Sequence, residues 1–280
     1  MENNLKARKK KDNLLVSLVY LSAIITVGLL VVIVGFIFIK GIAKISPNFL
    51  FADYSASGNG GILPMIMTTV YMVLVSILVA TPIGILAAVY LQEYAKQGKL
   101  VRVIRFATEC LAGIPSIVYG LFGGIFFVVA LKLQYSILSG GLTVAIIILP
   151  TIIRSTEEAL KTVPGTYREA SLGLGATKFQ TLYKVILPSA IPGILSGVIL
   201  SIGRVIGESA AILLTAGTVA KMPLTVFDSA RTLTVHAYLL TKETGDIQTA
   251  CGVGLVLIVL VFALNTVAKL VAKKLNKANY

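Results

Sequence analysis

Residues 154–188 read RSTEEALKTVPGTYREASLGLGATKFQTLYKVILP, and their local signals set the architecture around them. Three times a hydroxyl residue is followed three positions later by Glu or Gln: Ser155 with Glu158, Thr166 with Glu169, and Thr177 with Gln180. At that spacing the hydroxyl accepts from one free backbone N–H at a helix start while the later side chain reaches back to another. Each candidate helix also has a stop: Pro164-Gly165 after the first, Gly175 at a left-handed cap after the second, and Pro188 after the third. Three short, ordered helices are expected. On the third, Phe179, Leu182, Tyr183 and Ile186 recur at helical spacing, and on the second Tyr167, Ala170 and Leu174 share a face. Such faces need something to cover them. A packed intracellular loop and a docking element both satisfy that need.

Outward from this segment the chain becomes strongly apolar. Of 280 residues, 56% are hydrophobic and only 13% charged, which excludes an ordinary soluble domain and a disordered chain. A spanning helix needs about 20 apolar residues to cross roughly 30 Å of hydrocarbon. Six stretches qualify: 14–39, 62–91, 106–131, 133–153, 190–215 and 249–268, with Glu109, Arg204 and Glu208 as their only charges. Lipid offers no partner to backbone N–H and C=O groups, so the fold class is all-α, a polytopic bundle of six transmembrane helices. Residues 1–13 form a basic N-terminus, and 14–280 form a single transmembrane domain.

With both termini cytoplasmic, eighteen Lys and Arg residues fall inside, including Lys6, Arg8, Lys9, Lys10 and Lys11, against six outside. That split fixes the orientation and accounts for the net charge of +13 without nucleic acid. The N-terminal apolar run is too long for a signal core and lacks a small-residue cleavage site, so it reads as a retained anchor. Cys110 and Cys251 lie in or beside apolar stretches and read as small buried hydrophobes, not as a disulfide or a metal site.

In the fifth stretch, Arg204 and Glu208 stand four residues apart, which places both on one helical face, followed by Ser209. Charges at that depth face a bundle interior or a water-filled path. A mutual ion pair that locks packing and an anion path in which Arg204 offers a forked donor array are both compatible with the spacing. Gly193/Gly197, Gly203/Gly207 and Gly120/Gly124 have the spacing that permits close helix approach. The outer loop 216–248 is long for a bundle connection and serves equally as a capping loop or a docking surface.

Catalysis is not expected of this chain. There is no G-x-x-x-x-G-K-S/T loop to cradle a nucleotide, and His236, the sole histidine, has no H-E-x-x-H neighbour. Energy must then come from a partner protein, which counts against a single-chain pump. An ion-coupled secondary transporter is the main rival from another class, and Pro64, Pro82, Pro115 and Pro150 are compatible with its broken helices.

Glu169-Ala170-Ser171, Gly175 and Val185-Ile186-Leu187-Pro188 closely resemble the EAA-x3-G-x9-I-x-LP loop of the permeases of bacterial binding-protein-dependent importers. The departures are Ser171 for alanine and Val185 for isoleucine. In that family the loop forms coupling helices that sit in a groove of the ATP-binding subunit. The resemblance implies that Thr166, Glu169, Ala170, Ser171, Gly175, Thr177, Leu187 and Pro188 make or shape that contact. The string GIPSIVYGLFG at 113–123, RSTEEAL at 154–160 and the Arg204/Glu208 segment are similar to phosphate-importer permeases of the PstA type. The sister PstC type shares several of these strings; the short N-terminus and compact first outer loop favour PstA. This resemblance implies a MetI-like type I permease that pairs with a PstC-type sister. It also implies a PstB-type ATPase homodimer that binds ATP and magnesium, and an extracytoplasmic PstS-type phosphate-binding protein. The setting would be a bacterial or archaeal cytoplasmic membrane, and Arg204, Glu208 and Ser209 would lie on the substrate path. No cofactor is implied for this chain.

Overall fold

The computed structural model describes residues 2–55, 60–96 and 98–277; the side chains of the basic N-terminal cluster, Lys6 to Lys11, lie outside the described set. The described residues are helices and their connections, with no strand among them. The first helix, α1 (Glu2–Gly41), is exposed along its apolar length and packs on α12 (Ile247–Lys277). They meet closely at Gly41, where a Cβ would sit 2.6 Å from the Cys251 carbonyl oxygen. A short helix α2 (Pro47–Phe51), capped by the Ser46 hydroxyl, leads into α3 (Leu63–Val89), which ends in a π turn at Tyr90–Tyr94.

The centre of the molecule is α3 against α6 (Ile137–Thr162), with α9 (Leu187–Gly207) laid across both. Met72, Ile148, Ile152, Val205 and Ile206 are almost wholly buried there. Gly84 and Gly141 let the α3 and α6 backbones close on each other, since a Cβ on either would strike Ile152 or Val75. The Ser76 hydroxyl donates to the Gly141 carbonyl at 3.1 Å, a polar bond that apolar surroundings strengthen.

Two of the six expected spans are not single rods. The stretch 106–131 is bent by 100° between α4 (Lys99–Gly113) and α5 (Ser116–Gly123, prolonged by a π turn at Gly124–Ala130). Pro115 forces Ile114 into extended geometry, φ −71° and ψ 132°, and supplies no N–H. The α4 arm, at about 1.5 Å per residue, is too short to cross a bilayer alone. The stretch 190–215 is likewise interrupted at Glu208, whose backbone is extended, and resumes as α10 (Ala210–Thr215).

The cap and stop signals of 154–188 are redistributed in the same way. Ser155 caps nothing: α6 runs unbroken to Thr162, because Thr156, Ala159 and Leu160 are buried against neighbouring helices and Ser155 itself fills the notch at Gly197. Packing here overrides a local cap signal. The next helix, α7 (Gly165–Gly173), starts at Pro164, whose carbonyl accepts from Tyr167 N–H, so Thr166 lies inside the first turn and does not cap it. The third, α8 (Lys178–Thr181), does carry the Thr177–Gln180 capping box. Pro188 does not end it. A π turn at Leu182–Ile186 leads directly into α9, and Pro188 occupies its first turn, where a missing N–H costs least.

On the opposite side, α11 (Leu233–Leu239), started by Thr232 and prolonged by a π turn at Leu240–Thr244, packs between the beginnings of α3 and α12. Its Leu233 joins Phe49, Ile62, Met65 and Val253 in a second core. The 216–232 segment before it is tied down: the Asp228 carboxylate accepts from the backbone N–H groups of Leu224 and Thr225, both at 2.7 Å, and these bonds hold its carboxyl below the usual carboxylate range. Leu138 and Ile137 N–H groups donate to Val226 and Asp228 carbonyls, while Leu224 and Phe227 stay exposed at the tip.

Candidate coupling and translocation sites

The α7–α8 unit hangs from the core by specific bonds. Arg168 on α7 donates to Glu93 in the π turn after α3 at 2.6 Å, and also reaches the Val163 and Leu160 carbonyls. The pair is largely buried, with side-chain exposures of 28% and 10%, so it is screened far less than a surface pair. Lys178 lies 4.9 Å over the ring of Tyr94 in the same turn. Ser171 and Thr181 share a buried hydroxyl–hydroxyl bond of 2.9 Å that joins α7 to α8. Between the helices Gly175 takes φ +84°, a conformation that side chains resist.

These bonds decide which faces remain free. Leu182 and Ile186 are buried against Ala159, Leu160 and Val163. Phe179 and Tyr183, expected on the same face, point outward and stack on each other with ring centroids 6.3 Å apart. The π turn is the reason, since its wider winding rotates successive side chains out of the i, i+3, i+4 register. Glu169, Ala170 and Leu174 are also exposed, Leu174 to 90%. Leu187 and Pro188 are half-buried at the start of α9. The sequence-predicted positions thus divide: Glu169 and Ala170 lie on the open side, Ser171 holds the unit together, and Gly175 and Thr177 shape its turn.

The second cluster is broken apart by the interruption after α9. Arg204 is exposed on the last turn, while Glu208 has left the helix and turned its carboxylate onto the N–H groups of Ser209 at 3.1 Å and Ala211 at 3.2 Å. The Glu208 carbonyl accepts from Thr234 on α11 at 2.7 Å. The two charges therefore do not share a helical face, and among the described residues no ion pair joins them. The helical-face reading assumed an unbroken helix; the Glu208 carboxylate instead satisfies amides that the break exposes. Gly203 and Gly207 beside Arg204 face open space. Tyr119 on α5 lies within electrostatic reach of Arg204, its hydroxyl donating to the Leu111 carbonyl at 2.7 Å. Arg105 on α4 pairs with Glu157 on α6 at 3.2 Å, beside a cavity of about 140 Å³ that Glu109, Arg154 and Lys161 also line.

Glu93, Thr181 and Thr234 were not legible from sequence: Glu93 and Arg168 are 75 positions apart, and no local spacing links them. What did read through is the family loop. The model of binding-protein-dependent transport system inner membrane components matches residues 80–278, which takes in α4–α5, the coupling unit and the interruption at Glu208.

The chain belongs to that family.

Among relatives of this importer permease, the probable ABC transporter permease protein YqgI of Bacillus subtilis is 37% identical over 245 residues, 82% of this chain and 83% of the other. The phosphate transport system permease protein PstA of Pasteurella multocida is 36% identical over 235 residues, 80% of this chain and 84% of the other. PstA of Mycobacterium leprae is 37% identical over 209 residues, 74% and 68%. Two solved structures share the fold. One is of the MetNI methionine ABC transporter in inward-facing conformations, with a TM-score of 0.62, 22% identity, and 75% of this chain and 94% of that one covered. The other is of a bacterial alginate ABC importer, with a TM-score of 0.63, 16% identity, and 92% and 95% covered. This permease is thus an all-α membrane component of an ABC importer.

Proposed function

We propose that this permease carries inorganic phosphate inward as the PstA-type half of a heterodimer. Its partners would be a PstC-type sister, a PstB-type ATPase homodimer that binds ATP and magnesium, and a PstS-type phosphate-binding protein outside. The carrying observation is the similarity to PstA of Pasteurella multocida over 80% of the chain. Both termini would be cytoplasmic, which puts the α7–α8 unit on the ATPase side. Glu169, Ala170 and the exposed Leu174, Phe179 and Tyr183 offer it a mixed acidic and apolar surface. ATP hydrolysis belongs to that partner, and an ion gradient is not the driving force.

Arg204 is the residue assigned to the anion. Its guanidinium is permanently charged and forked, and with Glu208 turned away none of the ion pairs among the described residues neutralises it. Gly203 and Gly207 leave the space around it open for a sister subunit or a hydrated anion. Glu208 and Ser209 shape the break beside it. The test is reconstitution of the four-component complex in proteoliposomes, with phosphate uptake and ATPase activity measured together. Arg204→Ala should abolish phosphate uptake while the complex still co-purifies; loss of assembly would assign Arg204 to packing. Uptake driven by a proton gradient without the ATPase would overturn the importer reading.

A further inference from the structure

On the side away from the α7–α8 unit, Arg231 and His236 stand out as buried residues that carry unpaired polar atoms. Arg231 is 8% exposed and His236 3%. The Arg231 guanidinium carbon lies 4.5 Å from the centroid of the Tyr54 ring, so its face is covered. Its Nε and Nη2 atoms are buried without a hydrogen-bond partner, and so is Nδ1 of His236. None of the three ion pairs among the described residues includes Arg231. Tyr54 also meets His236 edge-on at 5.7 Å, which ties the three side chains into one cluster between the segment before α3 and the start of α11.

The pattern of satisfied and unsatisfied atoms is chemically specific. Nε and Nη2 form the edge of a guanidinium that presents two parallel N–H donors, the geometry that a carboxylate or phosphate accepts with two oxygens. A cation–π contact with Tyr54 compensates the face but not the edge. Removing an arginine from water with that edge unpaired is costly, and such a group calls for an anion. His236 adds a ring nitrogen suited to the hydroxyl of a protonated oxyanion. The cluster is also fixed in place: Arg231 N–H donates to the Val219 carbonyl at 3.0 Å, and Leu233 N–H donates to the Thr69 hydroxyl at 3.0 Å.

We infer that Arg231, His236 and Tyr54 form a closed binding site for a tetrahedral oxyanion of the phosphate type, separate from the path at Arg204. In naming phosphate as the ligand the inference rests on the proposed function. In this conformation the site is shut, and the segment that carries Tyr54 must move for the anion to enter.

The test uses the assembled permease–ATPase complex without binding protein, in an Arg204→Ala background so that the path residue does not contribute. Equilibrium binding of radiolabelled inorganic phosphate is measured, together with the shift in thermal midpoint on adding phosphate. Saturable binding is expected, weakened roughly tenfold or more by Arg231→Lys, which keeps the charge but loses the paired donors, and weakened by His236→Gln. Lys242→Gln, at an exposed lysine on the same side, should bind as the parent does. Phosphate should raise the midpoint of the parent but not of Arg231→Lys, a comparison that stands even where Arg231→Gln fails to fold. Equal binding by Arg231→Lys and the parent, or no binding by the parent of phosphate or of whichever oxyanion the wild-type complex imports, overturns the site. If the wild-type complex instead imports another oxyanion and binds that one through Arg231, the phosphate reading falls and the site stands.

Discussion

At the residue scale, His236 shows how burial fixes a protonation state. Burial first, and the neighbouring Arg231 charge second, push its pKa down to about 4 from an ordinary value of 6.5. Because the folded value lies below the unfolded one, the unfolded chain takes up the proton first as pH falls. Stability should therefore be flat above about pH 6.5 and decline between 6.5 and 4, by at most ~3 kcal/mol at the bottom of that window. Thermal midpoints of the purified complex across this range check it, and His236→Gln should remove the decline; a midpoint that rises on acidification would contradict it. Little of this was readable beforehand. The sequence showed His236 as a lone histidine in a long outer loop, and only tertiary placement beside Arg231 and Tyr54 gives it a role. Arg204 and Glu208 were legible as residues but not as a geometry, because helical spacing does not reveal that Glu208 N-terminal to α10 has left the helix to bond the Ser209 and Ala211 amides.

At the element scale, the α7–α8 unit depends on its attachment as much as on its own helices. The α8 helix has four residues, too few to persist alone; its capping box and the Ser171–Thr181 bond hold it to α7, which the Arg168–Glu93 pair anchors to the core. Arg168→Ala and Glu93→Ala should each lower stability, and a double-mutant cycle should return a coupling of about 1–3 kcal/mol, because both side chains are largely desolvated. The singles should also reduce the ATPase activity stimulated by substrate more than the basal rate. A coupling near zero would mean that α7 is held by the carbonyl contacts of Arg168 alone. The Thr177–Gln180 box and the left-handed Gly175 were legible from sequence because capping and positive φ are local events. Ser155, Thr166 and Pro188 misled because burial of Leu160 and the π turn at Leu182–Ile186 are decided by contacts with other helices.

For the whole molecule, the glycine pairs sort by what they face. A Cβ at Gly193 would lie 2.5 Å from that of Ala159, and one at Gly197 would strike Ser155, so this pair serves packing of α9 on α6. Gly203 and Gly207 have nothing within 4 Å. Gly197→Leu should therefore destabilise the chain by about 1–3 kcal/mol through overpacking, whereas Gly207→Leu should leave its stability intact and reduce recovery of the sister permease on co-purification. Normal recovery with Gly207→Leu would remove that face from the heterodimer contact. Finally, because Pro188 interrupts nothing, residues Lys178–Gly207 make one helical span of 30 residues, about 45 Å long. On the proposed function it links the surface offered to the ATPase, at its lower end, to the turn that bears Arg204 at its upper end. The π turn at Leu182–Ile186 and Pro192 are the two places along it where a tilt imposed below would be absorbed before reaching Arg204.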